Sequence, residues 1–403
     1  MKKIVIPSGV QALLARLREA GHAAHPVGGC VRDSLLGLTP GDWDVCTSAL
    51  PEEVQALFSD LRVLETGRKH GTVTLLTDFG GVEVTTFRRD GAYEKHRRPE
   101  QVEFVADLRE DLARRDFTVN AMALGPEGEV IDPFGGQADL ACGLLRCVGD
   151  ARLRFREDGL RMLRALRFMA RFGFSPEAET ARALEDCGEY LEALSPERVL
   201  QEVLGILAGT RPGEVLLPRQ GLLGRCIPAL GDIPAQDWAA ACQGLDALPP
   251  DGPLRLTRLL LPLGSAGADM ALQALRCDNA RRRQCGLLLE AAGVPLPRGR
   301  AETAALLARL GEEGFFSLCR LWRSLGQEAG LGEAEGLARR LLEEKLPLHV
   351  RELALGGREL LERGFTAGPE LGRVLEGLLG NVWSGSVENE AAALLAAAEE
   401  YRR

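Results

Sequence analysis

The spacing of apolar residues changes once along the chain, close to residue 150. Before that point, one segment of helical spacing and three segments rich in β-branched residues predict a helix followed by strands, at Val10 to Leu17, Trp43 to Thr47, Gly71 to Thr77 and Val82 to Arg88. Beyond it strand signals nearly stop, and apolar residues recur every three or four positions as far as Leu395. The pattern predicts an α+β protein, a small mixed-sheet head followed by an all-helical neck, body and tail.

Proline and glycine cluster at four places in the helical part and mark breaks between helices. The breaks lie at Gly209 to Gly213, Leu248 to Pro253, Gly293 to Gly299 and Gly356 with Gly357. We therefore predict four domains in chain order, with the head over residues 1–150, the neck over 151–212, the body over 213–295 and the tail over 296–403.

The composition is that of an ordinary globular protein, with 45% apolar and 27% charged residues. The sequence contains no run of about 18 apolar residues and no apolar signal-peptide core near its start, so we expect a soluble, cytoplasmic protein with no membrane partner. The ten cysteines form no Cys-x-x-Cys pair and only five histidines are present, which argues against a zinc site and predicts reduced core thiols.

The formal net charge of −9 argues at first against a polyanionic partner, but the positive charge is unevenly distributed. From Ala151 to Phe172, seven arginines stand against Glu157 and Asp158, a local balance of +5. Only five of the 49 basic residues are lysines, a bias that codon usage explains more simply than function does. The arginine strip can nonetheless hold phosphates in an acidic protein.

Candidate chemistry begins at Gly28 and Gly29, which precede a segment of helical spacing. Two glycines at the start of a helix let a phosphate approach the exposed N–H groups, and Arg32 lies one turn further on, where it can pair with that phosphate. A glycine pair taken alone is more often a simple turn.

The second candidate is the pair Asp42 and Asp44, at the start of a predicted strand. Alternation points both carboxylates to one face, and oxygen ligands that close together suit Mg²⁺. A solvated turn is the simpler explanation for this pair alone, but Gly29 lies only thirteen residues before Asp42, so the two motifs together can assemble a site for metal and nucleotide phosphates. Glu83, on a neighbouring predicted strand, is either a third carboxylate of that site or a solvent-facing residue.

Longer motifs contain these residues and continue along the chain. The first two are Gly28-Gly29-x-Val31-Arg32-Asp33-x-Leu35-Leu36-Gly37 and Asp42-x-Asp44-x-x-Thr47-Ser48. Others follow at His70 to Val73, Arg89 to Pro99, Arg114 to Met122, Asp132 to Leu140 and Arg156 to Phe168. In order and spacing they resemble the polymerase-β-like nucleotidyltransferases, and more narrowly the class II branch, which holds the bacterial-type tRNA CCA-adding enzymes and bacterial poly(A) polymerases. The segment from Gly368 onward resembles the tail of the bacterial tRNA enzymes.

The resemblance implies template-independent addition of CCA to the 3′ end of tRNA from CTP and ATP, with release of pyrophosphate. It implies Mg²⁺ as cofactor, held by the catalytic carboxylates Asp42 and Asp44. The implied nucleotide-binding residues are Gly28, Gly29 and Arg32 at the triphosphate, Arg115 and Asp116 at phosphate and ribose, Asp158 and Arg161 at the base, and Arg164 and Arg167 completing the pocket. The implied partner is the acceptor arm of tRNA, and no protein partner is evident. The segment Arg89 to Pro99 corresponds to the loop that the family needs to change from C to A addition.

A helix predicted from Glu157 to Phe172 offers a physical reason for the choice of base. One of its faces carries Asp158, Arg161, Arg164 and Arg167 at three-residue spacing. Asp158 can accept from an exocyclic amine and Arg161 can donate to a ring nitrogen, a combination that cytosine and adenine share and that guanine and uracil lack. A wrong base would leave buried polar groups unpaired, at about 1 to 3 kcal/mol each. For the spacing alone, a solvated face of salt bridges is the simpler explanation.

Other functions are compatible with part of the pattern. An A-adding specialist or a poly(A) polymerase would share the head and neck, and a catalytically silent RNA-binding scaffold would use only the arginine strip. A small-molecule nucleotidyltransferase would share the glycines and aspartates, but it would not need the helical remainder from Gly213 to Arg403. The tail motif favours the tRNA enzyme.

Overall fold

A computed structural model describes residues 4–91, 93–94, 98–99 and 102–402 of the chain. Positions 92 and 95–97 of the loop predicted from Arg89 to Pro99 lie outside the described residues, and the role of the loop stays a prediction. The chain divides into two compact units, Met1–Ile233 and Pro234–Arg403. The first unit holds the predicted head and neck together with residues 213–233 of the predicted body, and the four-domain division itself stays a prediction.

The first unit is built on a mixed five-stranded sheet, as the sequence predicts. Its strands are β1 (Ala24–Pro26), β2 (Val45–Thr47), β3 (Arg62–Leu64), β4 (Thr72–Thr77) and β5 (Gly80–Thr86). Their order across the sheet is β1-β2-β5-β4-β3, with β2 and β5 parallel and the other neighbours antiparallel.

Short strands form four further pairs in this unit. The strands are β6 (Arg88–Asp90), β7 (Tyr93–Glu94), β8 (Arg98–Pro99), β9 (Val102–Phe104), β10 (Ala123–Leu124), β11 (Val130–Ile131), β12 (Leu144–Leu145) and β13 (Ser175–Pro176). β6 pairs with β9, β7 with β8, and β10 with β11, all antiparallel, whereas β12 and β13 are parallel.

Helices pack on the sheet and dominate the chain after residue 150, where β13 is the last strand among the described residues. They are α1 (Ser8–Glu19), α2 (Gly29–Leu35), α3 (Pro51–Leu57), α4 (Leu108–Ala113), α5 (Gly136–Ala141), α6 (Ala151–Glu157), α7 (Leu160–Phe172), α8 (Ala178–Asp186), α9 (Pro196–Leu207), α10 (Pro212–Leu216), α11 (Gln220–Cys226) and α12 (Pro228–Gly231). The predicted apolar face of α1 is confirmed, because Val10, Leu13, Leu14 and Leu17 are all buried. α7 packs against α9, and its buried apolar side chains form the centre of the neck.

The second unit consists of helices and the turns that connect them, with no strand among its described residues. Its helices are α13 (Ala235–Asp246), α14 (Gly252–Leu260), α15 (Gly264–Ala274), α16 (Asn279–Ala292), α17 (Arg300–Ser324), α18 (Leu331–Glu343), α19 (Gly357–Glu362), α20 (Pro369–Ser384) and α21 (Ala391–Ala398). Its larger apolar cluster surrounds Phe315 and Trp322 of α17, and a smaller one surrounds Leu378 and Leu394. α17 kinks at Gly311, whose φ of 71° is a conformation that favours glycine.

The four predicted breaks between helices are confirmed, and two predicted element starts are wrong. The strand predicted from Trp43 begins at Val45. The helix predicted from Glu157 is interrupted, because α6 ends at Glu157 and α7 begins at Leu160. Asp158 leaves the helical conformation, with φ −141° and ψ 105°, and its carboxylate accepts the Leu160 N–H at 3.0 Å, as a capping aspartate does.

Two expectations drawn from composition fit the structure. All ten cysteines are free thiols, and most of them are buried, which confirms the prediction of reduced core cysteines. Within the part of the chain that the structure describes, no helix is both long and apolar enough to cross a bilayer.

Gly159 lies at the break between α6 and α7, and the lack of space for a side chain there suggests a stability test. A Cβ at this buried position would lie 2.4 Å from the carbonyl oxygen of Tyr190, and backbone cannot move aside as a flexible side chain can. We expect Gly159→Ala to lower the free energy of unfolding by about 1 to 3 kcal/mol through overpacking, measured by urea denaturation. Gly221→Ala is the matched control, because no atom lies within 4 Å of a Cβ there and the residue is exposed on α11. Equal stability of both variants would contradict the expectation.

Candidate active site

The predicted glycine motif and the predicted carboxylates lie side by side in the first unit. Gly28 precedes α2 with a φ of 78°, a conformation that favours glycine. The Val27 N–H donates to the carbonyl oxygen of Asp44 at 3.0 Å, and the Gly28 N–H donates to that of Met122 at 3.0 Å. The backbone of the glycine loop is therefore bonded directly to the segment that carries the aspartates.

Asp42 and Asp44 lie just before β2 rather than inside it. Asp42 is exposed and Asp44 is half-buried. β2 and β5 are parallel, and Val45 of β2 pairs with Val84 of β5. Asp44 and Glu83 each come one residue before this pair, so the register places them side by side. Burial raises the pKa of Asp44 to about 6, the negative charges of Asp42 and Glu83 add to the rise, and Arg115 opposes it. The three carboxylates thus share an excess of negative charge near the start of β2.

That excess suits a divalent cation. Carboxylate oxygens are the ligands that Mg²⁺ and similar hard cations prefer, and a cation would relieve the repulsion that raises the pKa of Asp44. Among the residues that the structure describes, no group of three or more His, Cys, Asp or Glu side chains is arranged to hold a metal ion. Asp42 and Asp44 remain candidate carboxylate donors, and Glu83 adds negative charge near them.

The guanidinium of Arg115 lies next to the glycine loop. Its Nη1 lies 2.9 Å from the position that a Cβ on Gly28 would occupy, so any larger residue at 28 would displace the guanidinium. Arg115 is held by Asp111, whose Oδ2 accepts from its Nη2 at 3.2 Å. The other oxygen of Asp111 accepts from Arg114 at 2.9 and 2.7 Å.

Asp111 is a site residue that the sequence analysis missed. Burial would raise its pKa, but the charges of Arg115 and Arg114 outweigh burial and lower the pKa below its usual value. The available signal was an aspartate three and four positions before two consecutive arginines, a spacing that brings the charges together on one helical turn. Arg114 is therefore bound to Asp111, which agrees with a structural role.

Arg32 is buried beneath the other glycine of the loop. Its Nη2 lies 3.7 Å from the Cβ position of Gly29. Its Nε donates to Asp33 at 2.8 Å, and its Nη1 donates to the Oδ1 of Asn120 at 2.6 Å. The side chain is thus next to the loop to which the resemblance assigns the triphosphate, and it is fixed there by two polar partners.

Asp116 connects this part of the site to the neck. Its Oδ2 accepts from Arg164 at 2.7 Å, and its Oδ1 accepts from Asn120 at 3.1 Å and from the Phe117 N–H at 2.9 Å. Burial would raise the pKa of Asp116, but the charge of Arg164 and the bond from Asn120 lower it to about 2. The amide oxygen of Asn120 faces Arg32 and its amide nitrogen faces Asp116, because arginine only donates hydrogen bonds and an ionised carboxylate only accepts them.

The two residues expected to recognise the base have partners of their own in the neck. The Oδ2 of Asp158 accepts from Arg198 at 2.8 Å. Arg161 is buried, and it donates to Glu157 at 2.6 Å and to the carbonyl oxygens of Arg154 and Arg114 at 3.1 and 3.0 Å. Because Asp158 lies outside α7, the predicted helical face of four residues is wrong at its first member.

Arg164 and Arg167 share a face of α7, as predicted. Arg167 faces Glu202 of α9, with its Nε 3.1 Å from the Oε2. Glu202 is buried, and burial raises its pKa although Arg167 and Arg164 act against the rise. The sequence analysis missed Glu202, because 35 positions separate it from Arg167 and only the packing of α9 on α7 brings them together.

Comparison with known proteins assigns matching families to most of the chain. Residues 24–146 match the poly(A) polymerase head domain, and residues 173–232 match the probable RNA and SrmB-binding site of polymerase A. Residues 255–398 match a putative tRNA nucleotidyltransferase domain 2.

Whole-length relatives agree with these matches. The CCA-adding enzyme of Lactobacillus delbrueckii subsp. bulgaricus is 37% identical over 389 residues, which cover 95% of each chain. That of Geobacillus thermodenitrificans is 38% identical over 391 residues, covering 94% of this chain and 93% of the relative.

Solved structures show the same likeness. The Bacillus stearothermophilus CCA-adding enzyme in complex with CTP superposes with a TM-score of 0.85 at 33% identity, over 99% of this chain and 98% of that one. The Thermotoga maritima CCA-adding enzyme complexed with tRNA has a TM-score of 0.70 at 22% identity, over 99% of this chain and 97% of that one. The second comparison concerns the fold alone.

The raised pKa of Asp44 predicts a stability change that depends on pH. The folded protein binds this proton more tightly than the unfolded chain does, so ionisation of Asp44 removes stability as pH rises from about 4 to about 6. Without divalent metal at pH 7.5, we expect Asp44→Asn to be more stable than the wild type by about 1 to 2 kcal/mol in urea denaturation. The difference should vanish near pH 4. Asp78→Asn, at the exposed turn between β4 and β5, is the control, and equal stability of Asp44→Asn and wild type at pH 7.5 would refute the argument.

Proposed function

Because the chain belongs to the CCA-adding enzymes, we propose that its glycine loop, Asp42 and Asp44 form the centre at which tRNA is extended. The protein is a nucleotidyltransferase that adds C, C and A to the 3′ end of tRNA from CTP and ATP, with release of pyrophosphate. The observation that carries the assignment of the centre is the 3.0 Å hydrogen bond between Val27 and Asp44. It supports a single site in which a triphosphate at the loop and a cation at the carboxylates would meet.

Asp42 and Asp44 are proposed to hold Mg²⁺, the divalent ion that suits two adjacent carboxylates. When bound, Mg²⁺ would supply charge for the nucleotide phosphates and lower the pKa of the attacking hydroxyl. The glycine loop at Gly28 and Gly29, which opens α2 and has Arg32 and Arg115 close to it, is proposed to bind and orient the triphosphate. The 3′-hydroxyl of tRNA attacks the α-phosphate in line, and pyrophosphate leaves on the side that these groups hold.

Base selection is proposed to rest on Asp158 and Arg161. The Asp158 carboxylate accepts one bond at each oxygen, from Leu160 and from Arg198, and a carboxylate has room for about four. It can therefore take an exocyclic amine without losing its present partners. Arg161 is oriented by three acceptors, which favours a fixed donor direction over a flexible one. Arg164 and Arg167 are proposed to complete the nucleotide pocket, with Asp116 and Arg115 at ribose and phosphate.

The predicted neck, body and tail are proposed to bind the acceptor arm of tRNA mainly through its phosphates. Such binding weakens as salt concentration rises, because condensed cations are released from the RNA. We place the enzyme in the cytoplasm, the compartment expected from its sequence.

An extension assay tests the complete activity. Purified protein with Mg²⁺ is given tRNA transcripts that end at the discriminator base, at C or at CC, with each nucleotide separately and with CTP plus ATP, and products are resolved by single nucleotides. Growth of the shortest transcript to CCA and no further supports the proposal. Extension of the CC transcript alone would identify an A-adding specialist, long A tracts would identify a poly(A) polymerase, and no extension would favour an RNA-binding scaffold.

Replacement of Asp42 tests the catalytic centre. We expect Asp42→Ala to reduce addition of C and of A by at least about a thousandfold while tRNA affinity stays unchanged, because the variant loses a metal ligand but no RNA contact. Filter binding and single-turnover extension measure the two quantities. Asp78→Ala, an exposed aspartate of the same sheet, should behave as wild type. Retained turnover in Asp42→Ala would overturn the proposed role.

Replacement of Arg161 tests base recognition. We expect Arg161→Ala to lower the preference for CTP and ATP over UTP and GTP by about tenfold or more, because a donor to the ring nitrogen is lost. Competition assays with mixed nucleotides measure the preference, and thermal unfolding confirms that the variant is folded. Arg152→Ala, in the same arginine strip but 60% exposed, is the control. An unchanged preference in Arg161→Ala would contradict the proposed pair.

A further inference from the structure

Two aromatic rings of α7 lie against the buried guanidinium of Arg32. The Cζ of Arg32 is 5.0 Å from the ring centre of Phe168 and 4.8 Å from that of Phe172. The two rings are stacked, with centres 5.9 Å apart and planes inclined by 20°. Both distances are within the range in which a guanidinium is attracted to an aromatic face.

The rings add a second restraint to the polar partners of Arg32. Asp33 and Asn120 accept hydrogen bonds from the guanidinium, and these bonds fix the positions of its donor nitrogens. The guanidinium carbon lies over the rings of Phe168 and Phe172, which supply apolar surface and an attraction that does not depend on those acceptors.

The two rings also belong to a different part of the fold from Arg32. Arg32 lies on α2 in the head, whereas Phe168 and Phe172 lie on α7, the helix that carries Arg164 and Arg167. Arg171, at the same end of α7, makes another contact with the head, because its guanidinium lies 3.8 Å from the carboxylate of Asp33. The same guanidinium lies 4.9 Å from the centre of the Phe172 ring. The surroundings of Arg32 are thus made by both parts.

We propose that Phe172, together with Phe168, is a positioning residue that holds the Arg32 guanidinium beneath Gly29 for the triphosphate of the incoming nucleotide. This inference rests on the proposed function, which places the triphosphate at that loop. CTP and ATP carry the same triphosphate, so the effect of Phe172 falls equally on both nucleotides. It falls on nucleotide binding and leaves the choice of base unchanged, because the ring acts on Arg32 and not on Asp158 or Arg161.

Phe172 suits a test because it is half-buried, whereas Phe168 is 3% exposed. In Phe172→Leu, a side chain of similar bulk keeps the apolar contact and loses the aromatic face. We expect the KM for CTP and for ATP to rise about fivefold each, with kcat within about a factor of two of wild type. Phe172→Tyr keeps the ring and should restore both KM values.

Two comparisons separate this role from ordinary packing. In Phe174→Leu, a ring that stacks on Phe172 at 5.2 Å is removed while the ring next to Arg32 stays, so we expect KM values near wild type. In an Arg32→Gln background, Phe172→Leu should produce no further rise in KM, because the group it positions is gone. A general loss of structure would instead add to the effect of Arg32→Gln and lower the temperature of thermal unfolding in both backgrounds.

The outcomes are distinguishable from those that test the proposed function. Wild-type KM values in Phe172→Leu, or additive effects in the Arg32→Gln background, would overturn the positioning role. Failure of Phe172→Tyr to restore the KM values would do the same. Each of these results leaves CCA addition by the wild-type protein intact, whereas failure of the proposed function would appear as absent extension in the wild type itself.

Discussion

Four arginines at the candidate site face buried carboxylates, and the rest of the arrangement depends on that pairing. The pairs are Arg32 with Asp33, Arg115 with Asp111, Arg164 with Asp116, and Arg167 with Glu202. A buried charge without a partner costs several kcal/mol, so guanidinium groups could not be gathered under one loop unless carboxylates were buried with them. The pairing lets a protein with a net charge of −9 keep several guanidinium groups in buried or half-buried positions near the glycine loop and in the neck.

The same pairing explains which parts of the site the sequence predicts. Gly28, Asp42 and Asp44 lie close together in the chain, so their spacing alone indicates a shared site. Asp111 and Glu202 were not predicted, because acidic residues are common and only folding shows which of them are buried against arginine. The position of Asp158 was predicted wrongly for a related reason. The helical spacing of the sequence continues through Asp158, but in the structure its carboxylate accepts the Leu160 N–H and so caps the start of α7. The next residue, Gly159, packs closely on the backbone of Tyr190.

The neck shows how a protein can prepare donors and acceptors for a base without leaving them unsatisfied. Asp158 and Arg161 each have partners within the chain, so neither pays the full cost of burial before a nucleotide arrives. Under the proposed function, discrimination is the difference between adding a suitable base to these groups and forcing an unsuitable one against them. The larger features of the fold, a mixed sheet followed by helices, were predictable because apolar periodicity is a local property of the chain.

The bias toward arginine, which codon usage explains at the level of composition, has a physical consequence where the side chains are buried. A lysine ammonium moved into such surroundings readily gives up its proton near neutral pH, whereas a guanidinium keeps its charge. The four arginines Arg32, Arg115, Arg164 and Arg167 therefore suit positions at which a buried lysine would not keep its charge. An apparently conservative change from arginine to lysine there would alter the charge of the candidate site as well as its hydrogen-bonding geometry.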